Sequence, residues 1–127
     1  MALTLLLVDK SAYVRGAPGS DELEGELCLC AVTRLELLYS ARSRDDYVRL
    51  EDDLETFRDL RMDAETFAVA TAAQRELATA GRHRVPIPDL LIAACAHQHG
   101  ADVLHVDRHY DVLADVLTFA PVRLPHS

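Results

Sequence analysis

Residues 3–9 read Leu-Thr-Leu-Leu-Leu-Val-Asp, a run of six largely apolar residues that closes on Asp9. A continuous apolar run of this length predicts a strand that is buried on both faces of a parallel sheet. Residues 101–107 repeat the arrangement, because Ala-Asp-Val-Leu-His-Val is followed by Asp107. Both aspartates therefore follow predicted strands, at the edge of the sheet where α/β proteins place their ligands.

The rest of the chain alternates strand-like and helix-like segments, which predicts a parallel α/β sheet of four or five strands with helices on both faces. The predicted strands are 3–8, 27–32, 60–62, 102–106 and 117–120. The predicted helices are a short one from Ser11, an acidic one from Ser20 or Asp21 through Glu26, and 33–41, 44–57, 63–80, 89–99 and 109–116. Glycine and proline at 16–20 and 81–88 mark the loops between them.

Length and charge limit the kind of protein this can be. With 127 residues, half of them hydrophobic, we expect one domain over 1–127. A net charge of -8 argues against a broad basic surface for nucleic acid, although it is compatible with a metal-dependent nuclease. The basic residues are one lysine and twelve arginines, whose planar side chains suit phosphate recognition.

The sequence also indicates a compartment. The N-terminal apolar run is too short for a membrane span or the core of a signal peptide, so we expect a cytoplasmic protein without a membrane segment. Three cysteines, Cys28, Cys30 and Cys95, lie in apolar segments. An odd number of buried cysteines in such a protein predicts free thiols rather than disulfides.

Four acidic residues are expected to share one edge of the sheet. Asp9 and Asp107 follow strands, and Glu36 and Asp89 fall in the first turns of predicted helices. Clustered carboxylates repel one another unless a positive charge lies among them. Because all the expected donors are hard oxygen atoms, the pattern predicts a divalent cation such as Mg2+.

Each acid also has a structural explanation. Asp9 would cap the next helix, and the helix dipole would stabilise Asp89 by about 0.3 to 1 kcal/mol. Thr33 and Glu36 match a capping box, in which the glutamate bonds back to the first residue's amide. These alternatives stay open, and His109 is close enough in sequence to Asp107 to reach the same site.

Four segments in order resemble the motifs of the PIN-domain family, in particular the VapC-type toxins of bacterial toxin–antitoxin systems. Residues 7–13 resemble its V-D-[TS]-[SN] start, and residues 32–37 resemble its second motif. Residues 88–96, Pro-Asp-Leu-Leu-Ile-Ala-Ala-Cys-Ala, resemble its D-x-x-I-A-A-x-A helix. Residues 105–110 resemble its T-x-D-x-[DH]-F end, so the resemblance covers nearly the whole chain.

The resemblance implies a PIN-domain-like three-layer sandwich and an endoribonuclease that depends on Mg2+ or Mn2+. Asp9, Asp89 and Asp107 would be metal ligands, directly or through water. Glu36 would position or deprotonate the attacking water, or bind a second ion. Products would carry 5'-phosphate and 3'-hydroxyl ends, and the substrate could be a structured RNA such as tRNA or rRNA. A small VapB-type antitoxin would neutralise the protein, which would form a homodimer.

Two residues depart from the family pattern. Lys10 stands where Thr or Ser is usual, beside the first acid, and His105 replaces the Thr before the fourth. Lys10 would reduce the charge of the site, contact a substrate phosphate or point into solvent. Residues expected at the rim, where they would contact RNA or remain ordinary solvated side chains, are Lys10, Ser11, Arg15, Arg34, Arg82, Arg84 and Arg108.

An apolar stripe on the helix over 44–57 suggests a surface for a partner. Tyr47, Leu50, Leu54 and Phe57 share one face of this helix. Together with the short helices that flank the site, the stripe would form a groove for an amphipathic helix of the antitoxin. Alternatively, the stripe packs wholly on the protein's own core.

Two other functions compete with the nuclease. A phospho-acceptor receiver domain also has an acidic pocket at its strand ends, but it needs a lysine after the fifth strand, and the chain has no lysine after Lys10. A protein with the same fold that has lost catalysis and acts only as a binding partner is the second. Lys10 beside the first acid is the feature that favours it.

Overall fold

The computed structural model describes residues 4–14, 16 and 25–123. Its strands are β1 (Leu5–Val8), β2 (Glu26–Leu29), β3 (Arg58–Asp59), β4 (Asp102–His105) and β5 (Pro121–Arg123). They form one five-stranded sheet in the order β3-β2-β1-β4-β5, and every pairing is parallel. The fold class expected from the sequence is confirmed.

Helices connect the strands. They are α1 (Lys10–Tyr13), α2 (Ala31–Tyr39), α3 (Arg44–Leu54), α4 (Ala64–Thr79), α5 (Ile87–His99) and α6 (His109–Leu113). In the described parts of the chain, no helix has the length and apolar character that crossing a membrane requires.

The sheet has a core on each face because successive side chains of a strand point in opposite directions. Leu7 of β1 and Val103 of β4 pack with α4, α5 and α6 in one core. Val8 and Leu104, the next residue of each strand, pack with α1, α2 and α3 in the other. The three layers therefore follow from central strands that carry apolar side chains on both faces of the sheet. Cys28, Cys30 and Cys95 are buried free thiols, as expected.

The order of the strands creates a crevice at their carboxyl ends. β1 lies between β2 and β4, so the chain leaves the centre of the sheet towards both edges. Open α/β sheets bind ligands where the strand order reverses in this way. Val8 pairs with Leu104, so β1 and β4 end at nearly the same level. The loops that carry Asp9 and Asp107 therefore meet at this crevice.

The start of α2 differs from the prediction. The strand expected over 27–32 ends at Leu29, and the helix expected from Thr33 begins at Ala31. Thr33 is the third residue of the helix, and its hydroxyl accepts a 2.8 Å hydrogen bond from the backbone N–H of Cys30. The capping box thus joins Cys30 and Thr33. The capping interpretation of Glu36 was wrong, and so was its first-turn position, because Glu36 is the sixth residue of α2.

Other boundaries differ by a few residues. The third strand was expected at 60–62 but pairs at 58–59, where Arg58 and Asp59 lie beside Cys28 and Leu29. The last strand was expected at 117–120, but β5 begins at Pro121, which an edge strand tolerates at its first position. The helices expected over 44–57, 89–99 and 109–116 are Arg44–Leu54, Ile87–His99 and His109–Leu113.

The segment before β2 is described only in part. Glu26, expected to end an acidic helix, instead begins β2. The rest of that predicted helix, from Ser20 or Asp21 onward, and most of the glycine and proline break at 16–20 lie outside the described residues.

The apolar stripe of α3 is largely used inside the molecule. Leu54 is fully buried, and Leu50 and Phe57 pack against the same core. Tyr47 keeps 39% of its surface exposed. Of the two interpretations of the stripe, packing on the protein's own core therefore holds for three of its four residues.

Candidate active site

Asp9 is buried, and both oxygens of its carboxylate accept hydrogen bonds. It follows β1 as the N-cap of α1 and is only 5% exposed. Its Oδ2 accepts hydrogen bonds from the backbone N–H of Ser11 at 3.0 Å and from the Ser11 hydroxyl at 2.6 Å. Its Oδ1 accepts one from the Tyr110 hydroxyl at 2.6 Å. These donors fix the orientation of the carboxylate without supplying a positive charge.

A second group contains Asp89, Asp107 and His109. Nδ1 of His109 lies 3.0 Å from Oδ2 of Asp89 and 2.8 Å from Oδ1 of Asp107. The backbone N–H of His109 also donates to Oδ1 of Asp107, at 2.9 Å. Each of the three residues offers one ligand atom, and these atoms lie within 4.8 Å of one another. Two oxygens and one imidazole nitrogen at this spacing form a donor set that fits a divalent cation.

The carboxylates influence one another strongly. Asp89 lies in the first turn of α5 and is 8% exposed. Burial, followed by the negative charges of Asp9 and Asp107, raises the pKa of Asp89 to about 7, whereas His109 opposes the rise. A group of acids that raises the pKa of one member this far lacks positive charge.

Glu36, on α2, lies near Asp9. Burial and then the charge of Asp9 raise the pKa of Glu36, and Lys10 opposes this rise. Lys10, Leu35, Glu36 and Tyr39 line a groove of about 390 Å3. Lys10 therefore lies beside Glu36 rather than pointing away into solvent.

Tyr110 lies close to the acids. Its side chain is fully buried in α6. Burial, followed by the charges of Asp9 and Asp89 and more weakly by that of Glu36, raises the pKa of Tyr110 well above its ordinary value. The hydroxyl therefore stays protonated and acts as a hydrogen-bond donor. Tyr110 lies within the motif at 105–110, but the sequence pattern did not indicate this role.

His105 supports the loop that carries Asp107. It is fully buried in β4, and its Nδ1 accepts a 3.0 Å hydrogen bond from the backbone N–H of Asp107. Its ring lies 5.0 Å from that of Tyr110. Burial lowers the pKa of His105, so the ring is neutral. At the position where the family pattern has Thr, the imidazole thus supplies a hydrogen-bond acceptor to the loop.

The residues expected at the rim have different environments. The Ser11 hydroxyl donates to Asp9 and accepts from the backbone N–H of Val106 at 3.0 Å, so it links the loops after β1 and β4. Arg108 lines a groove of about 410 Å3 beside Asp107, together with Arg123, which was not among the residues predicted from the sequence.

The other predicted rim arginines are less informative. Arg82 forms a 3.1 Å ion pair with Asp115. Arg34 is half-buried on α2, and Arg84 is exposed in the loop before α5. Arg15 lies outside the described residues.

Sequence comparison identifies the family. The profile of the PIN domain matches residues 6–116. Ribonuclease VapC17 of Mycobacterium tuberculosis is 40% identical over 120 residues, which are 90% of each chain. Ribonuclease VapC18 of the same species is 45% identical over 94 residues, which are 72% of this chain and 69% of that protein. The chain therefore belongs to the PIN-domain family and, within it, to the VapC ribonucleases.

Solved structures agree on the fold. VapBC-5 from Mycobacterium tuberculosis, a member of the VapBC family of toxin–antitoxin systems, superposes with a TM-score of 0.74 at 24% identity, covering 95% of this chain and 99% of that one. VapBC2 from Rickettsia felis, bound to a DNA fragment from its promoter, gives 0.77 at 14% identity, covering 96% and 100%. The expectation of a PIN-domain nuclease of the VapC type is confirmed.

Proposed function

We propose that this protein hydrolyses RNA with the help of a divalent cation, Mg2+ or Mn2+, held by Asp9, Asp89 and Asp107 directly or through water. The observation that carries the proposal is the convergence of these acids and Glu36 around Tyr110, with a pKa of Asp89 near 7. Burying several carboxylates close together costs free energy unless a positive charge lies among them. A cation supplies that charge, and the phosphate of RNA brings further oxygen ligands.

The protein's own groups have separate tasks in this reaction. When bound, a divalent cation balances charge on the phosphate and activates water. Glu36 accepts the proton of the attacking water, a role that suits a carboxylate whose pKa is raised. Asp9 is kept in one orientation by Ser11 and Tyr110. A pre-oriented carboxylate costs little reorganisation during the reaction.

The bond changes determine the products. The water oxygen attacks phosphorus, the bond from phosphorus to the 3' oxygen breaks, and that oxygen takes up a proton. The cleaved strands carry a 5'-phosphate and a 3'-hydroxyl. Arg108 and Arg123, which line the groove beside Asp107, would bind neighbouring phosphates of the strand. Sequence-specific proteins read RNA mainly in single-stranded loops, so a loop of tRNA or rRNA is the substrate class we propose.

The groove that contains Glu36 also suits the binding of an antitoxin. Leu35 and Tyr39 on α2 are 65% and 89% exposed, and they line the groove that also contains Lys10 and Glu36. We place a VapB-type amphipathic helix on this apolar pair rather than on the stripe of α3. An arginine of that partner would pair with the carboxylates and exclude RNA. The toxin would act as a single-domain protein in the cytoplasm, where its RNA substrate is, and as a homodimer.

The nuclease proposal is tested by incubating purified protein with total cellular RNA. Asp9→Asn should abolish cleavage, whereas Asp45→Asn, a change at an exposed position of α3, should leave it unchanged. The downstream fragments should be ligated to an RNA adaptor without prior phosphorylation, because their new ends should carry 5'-phosphates. A folded wild-type protein that cleaves no RNA but binds an antitoxin would instead support the binding-partner alternative.

The partner is tested by co-expression with the small open reading frame beside the gene. Growth arrest should be relieved, and a complex should co-purify. Leu35→Ser combined with Tyr39→Ser, which removes the apolar pair without adding charge beside Glu36, should remove the complex while RNA cleavage persists. Arrest that persists without a complex would refute the antitoxin, while the nuclease proposal would stand.

A further inference from the structure

We infer that His109 is a direct ligand of the cation, through Nδ1, and that its imidazole makes the site prefer a transition-metal ion such as Mn2+ over Mg2+. The inference rests on the proposed metal-dependent function and specifies which ion that function uses. It adds His109 to the ligands, where the sequence suggested three aspartates.

The distances around Nδ1 are those of neighbouring ligands on one ion. Nδ1 lies 3.0 Å from Oδ2 of Asp89 and 2.8 Å from Oδ1 of Asp107. In an octahedral site with metal–ligand distances of about 2.1 Å, adjacent ligand atoms are about 3.0 Å apart. The three atoms therefore need little movement to face a common ion. The backbone N–H of His109 donates a hydrogen bond to Asp107 and so holds these two residues in this arrangement.

The alternative is that His109 merely bridges two carboxylates by hydrogen bonding. Nδ1 carries at most one hydrogen atom, which points well at only one acceptor. Nδ1 nevertheless lies within 3.0 Å of an oxygen of both carboxylates. Within the described ranges, His109 is also the one side chain that forms a hydrogen bond with Asp89, which is 8% exposed. A single ion bound by all three atoms satisfies both carboxylates at once.

Imidazole changes the choice of ion. Mg2+ takes oxygen ligands almost exclusively and loses its waters reluctantly. Nitrogen ligands favour ions of the first transition row over Mg2+. A site in which one imidazole joins the carboxylates should therefore bind Mn2+ in preference to Mg2+, by more than a site made of carboxylates alone.

The test uses the metal alone, without RNA. Mn2+ is added to the ion-free protein, and pulsed electron paramagnetic resonance records whether a 14N nucleus is coupled to the bound ion. We expect 14N coupling in the wild type and in His83→Asn, a control at an exposed histidine. It should disappear in His109→Asp, and Asp89→Asn should lose the ion.

Calorimetry with Mn2+ and Mg2+ gives the second measurement. Mutation of even an outer-shell partner changes metal affinity by about 10- to 100-fold. We expect His109→Asp to weaken Mn2+ binding by about this much and Mg2+ binding much less, because Mg2+ gains little from a nitrogen ligand, so the preference for Mn2+ should fall. Comparison with His109→Asp separates the effect of the imidazole from the generally tighter binding of Mn2+ at carboxylate sites.

The wild-type spectrum decides the question even if a variant fails to fold. Mn2+ bound without 14N coupling would overturn the inference, as would an unchanged preference in folded His109→Asp or no binding of Mn2+ at all. None of these results would by itself refute the nuclease, since RNA cleavage that requires Mg2+ alone would keep the proposed function and remove only the role of His109.

Discussion

The Tyr110 hydroxyl donates a 2.6 Å hydrogen bond to Oδ1 of Asp9, joining two residues that are 101 positions apart in the chain. Both side chains are buried. The contact fastens α6 to the end of β1 and leaves Asp9 facing the other acids in a fixed orientation. Much of the order of the site therefore depends on a group that is not itself charged.

Tyr110→Phe should disturb the site while keeping its packing. The variant leaves Oδ1 of Asp9 without its donor, and a hydrogen bond to a charged group contributes about 1.5 to 3 kcal/mol. We expect a loss of unfolding free energy of that order and weaker binding of Mn2+, measured by urea denaturation and calorimetry. Tyr39→Phe, at a residue that is 89% exposed, is the control. Unchanged stability and affinity in Tyr110→Phe would show that the contact is unimportant.

Glu36→Gln separates catalysis from folding. Because the capping box joins Cys30 and Thr33, Glu36 has no capping role to lose. We expect stability within about 0.5 kcal/mol of the wild type. Loss of a general base should lower the rate of RNA cleavage by about 100-fold or more. Glu51→Gln, exposed on α3, serves as the control, and full cleavage by folded Glu36→Gln would remove Glu36 from the mechanism.

The pKa of Asp89 predicts how the stability of the ion-free protein changes with pH. A folded-state pKa of about 7, above the ordinary 3.8, favours the protonated carboxyl in the folded protein. Its contribution is fully present below about pH 4 and is lost as the pH rises to about 7, at about 1.4 kcal/mol per pKa unit. Asp89→Asn removes this loss. In urea denaturation, its stability relative to the wild type should be greater at pH 8 than at pH 4.5.

The control for this pH effect is Asp52→Asn, which alters an exposed acid on α3. Its stability relative to the wild type should stay nearly constant between the two pH values. Equal pH profiles of stability for Asp89→Asn and the wild type would mean that the pKa of Asp89 is not raised in the folded protein. Added Mn2+ should stabilise the wild type at pH 8 and have little effect on Asp89→Asn.

Arg108 and Arg123 should act on RNA binding rather than on the chemical step. They line the same groove beside Asp107, so Arg108→Ala with Arg123→Ala should raise KM and leave kcat nearly unchanged. Each lost phosphate contact on a single strand should reduce the salt dependence of binding by about 0.7 in the log–log slope. Arg75→Ala, exposed on α4, is the control. A fall in kcat at constant KM would contradict the binding role.

The sequence predicted the elements whose pattern is local and strong. The apolar runs before Asp9 and Asp107 placed β1 and β4 correctly, and the carboxyl edge of a parallel sheet then placed the acids. It failed at the start of α2, because Thr33 is equally suited to the N-cap and to the third position. Only the pairing of its hydroxyl with Cys30 distinguishes the two.

Residues whose role depends on contacts between distant segments could not be predicted. Tyr110 reads as an ordinary buried aromatic until α6 is placed against β1. His109 had a weak signal in its spacing from Asp107, but its closeness to Asp89 depends on how α5 packs. Arg123 joins the groove because β5 begins at Pro121, four residues later than the apolar pattern of 117–120 suggested.

Metal dependence of RNA cleavage is the central claim. Purified wild-type protein should be stripped of ions with a chelator, dialysed, and assayed on total cellular RNA before and after Mn2+ or Mg2+ is returned. We predict no cleavage by the stripped protein, recovery when the ion is added, and no recovery for Asp89→Asn under the same conditions. Undiminished cleavage by wild-type protein in excess chelator, abolished by Glu36→Gln, would show that these residues cleave RNA without a cation and would contradict the claim.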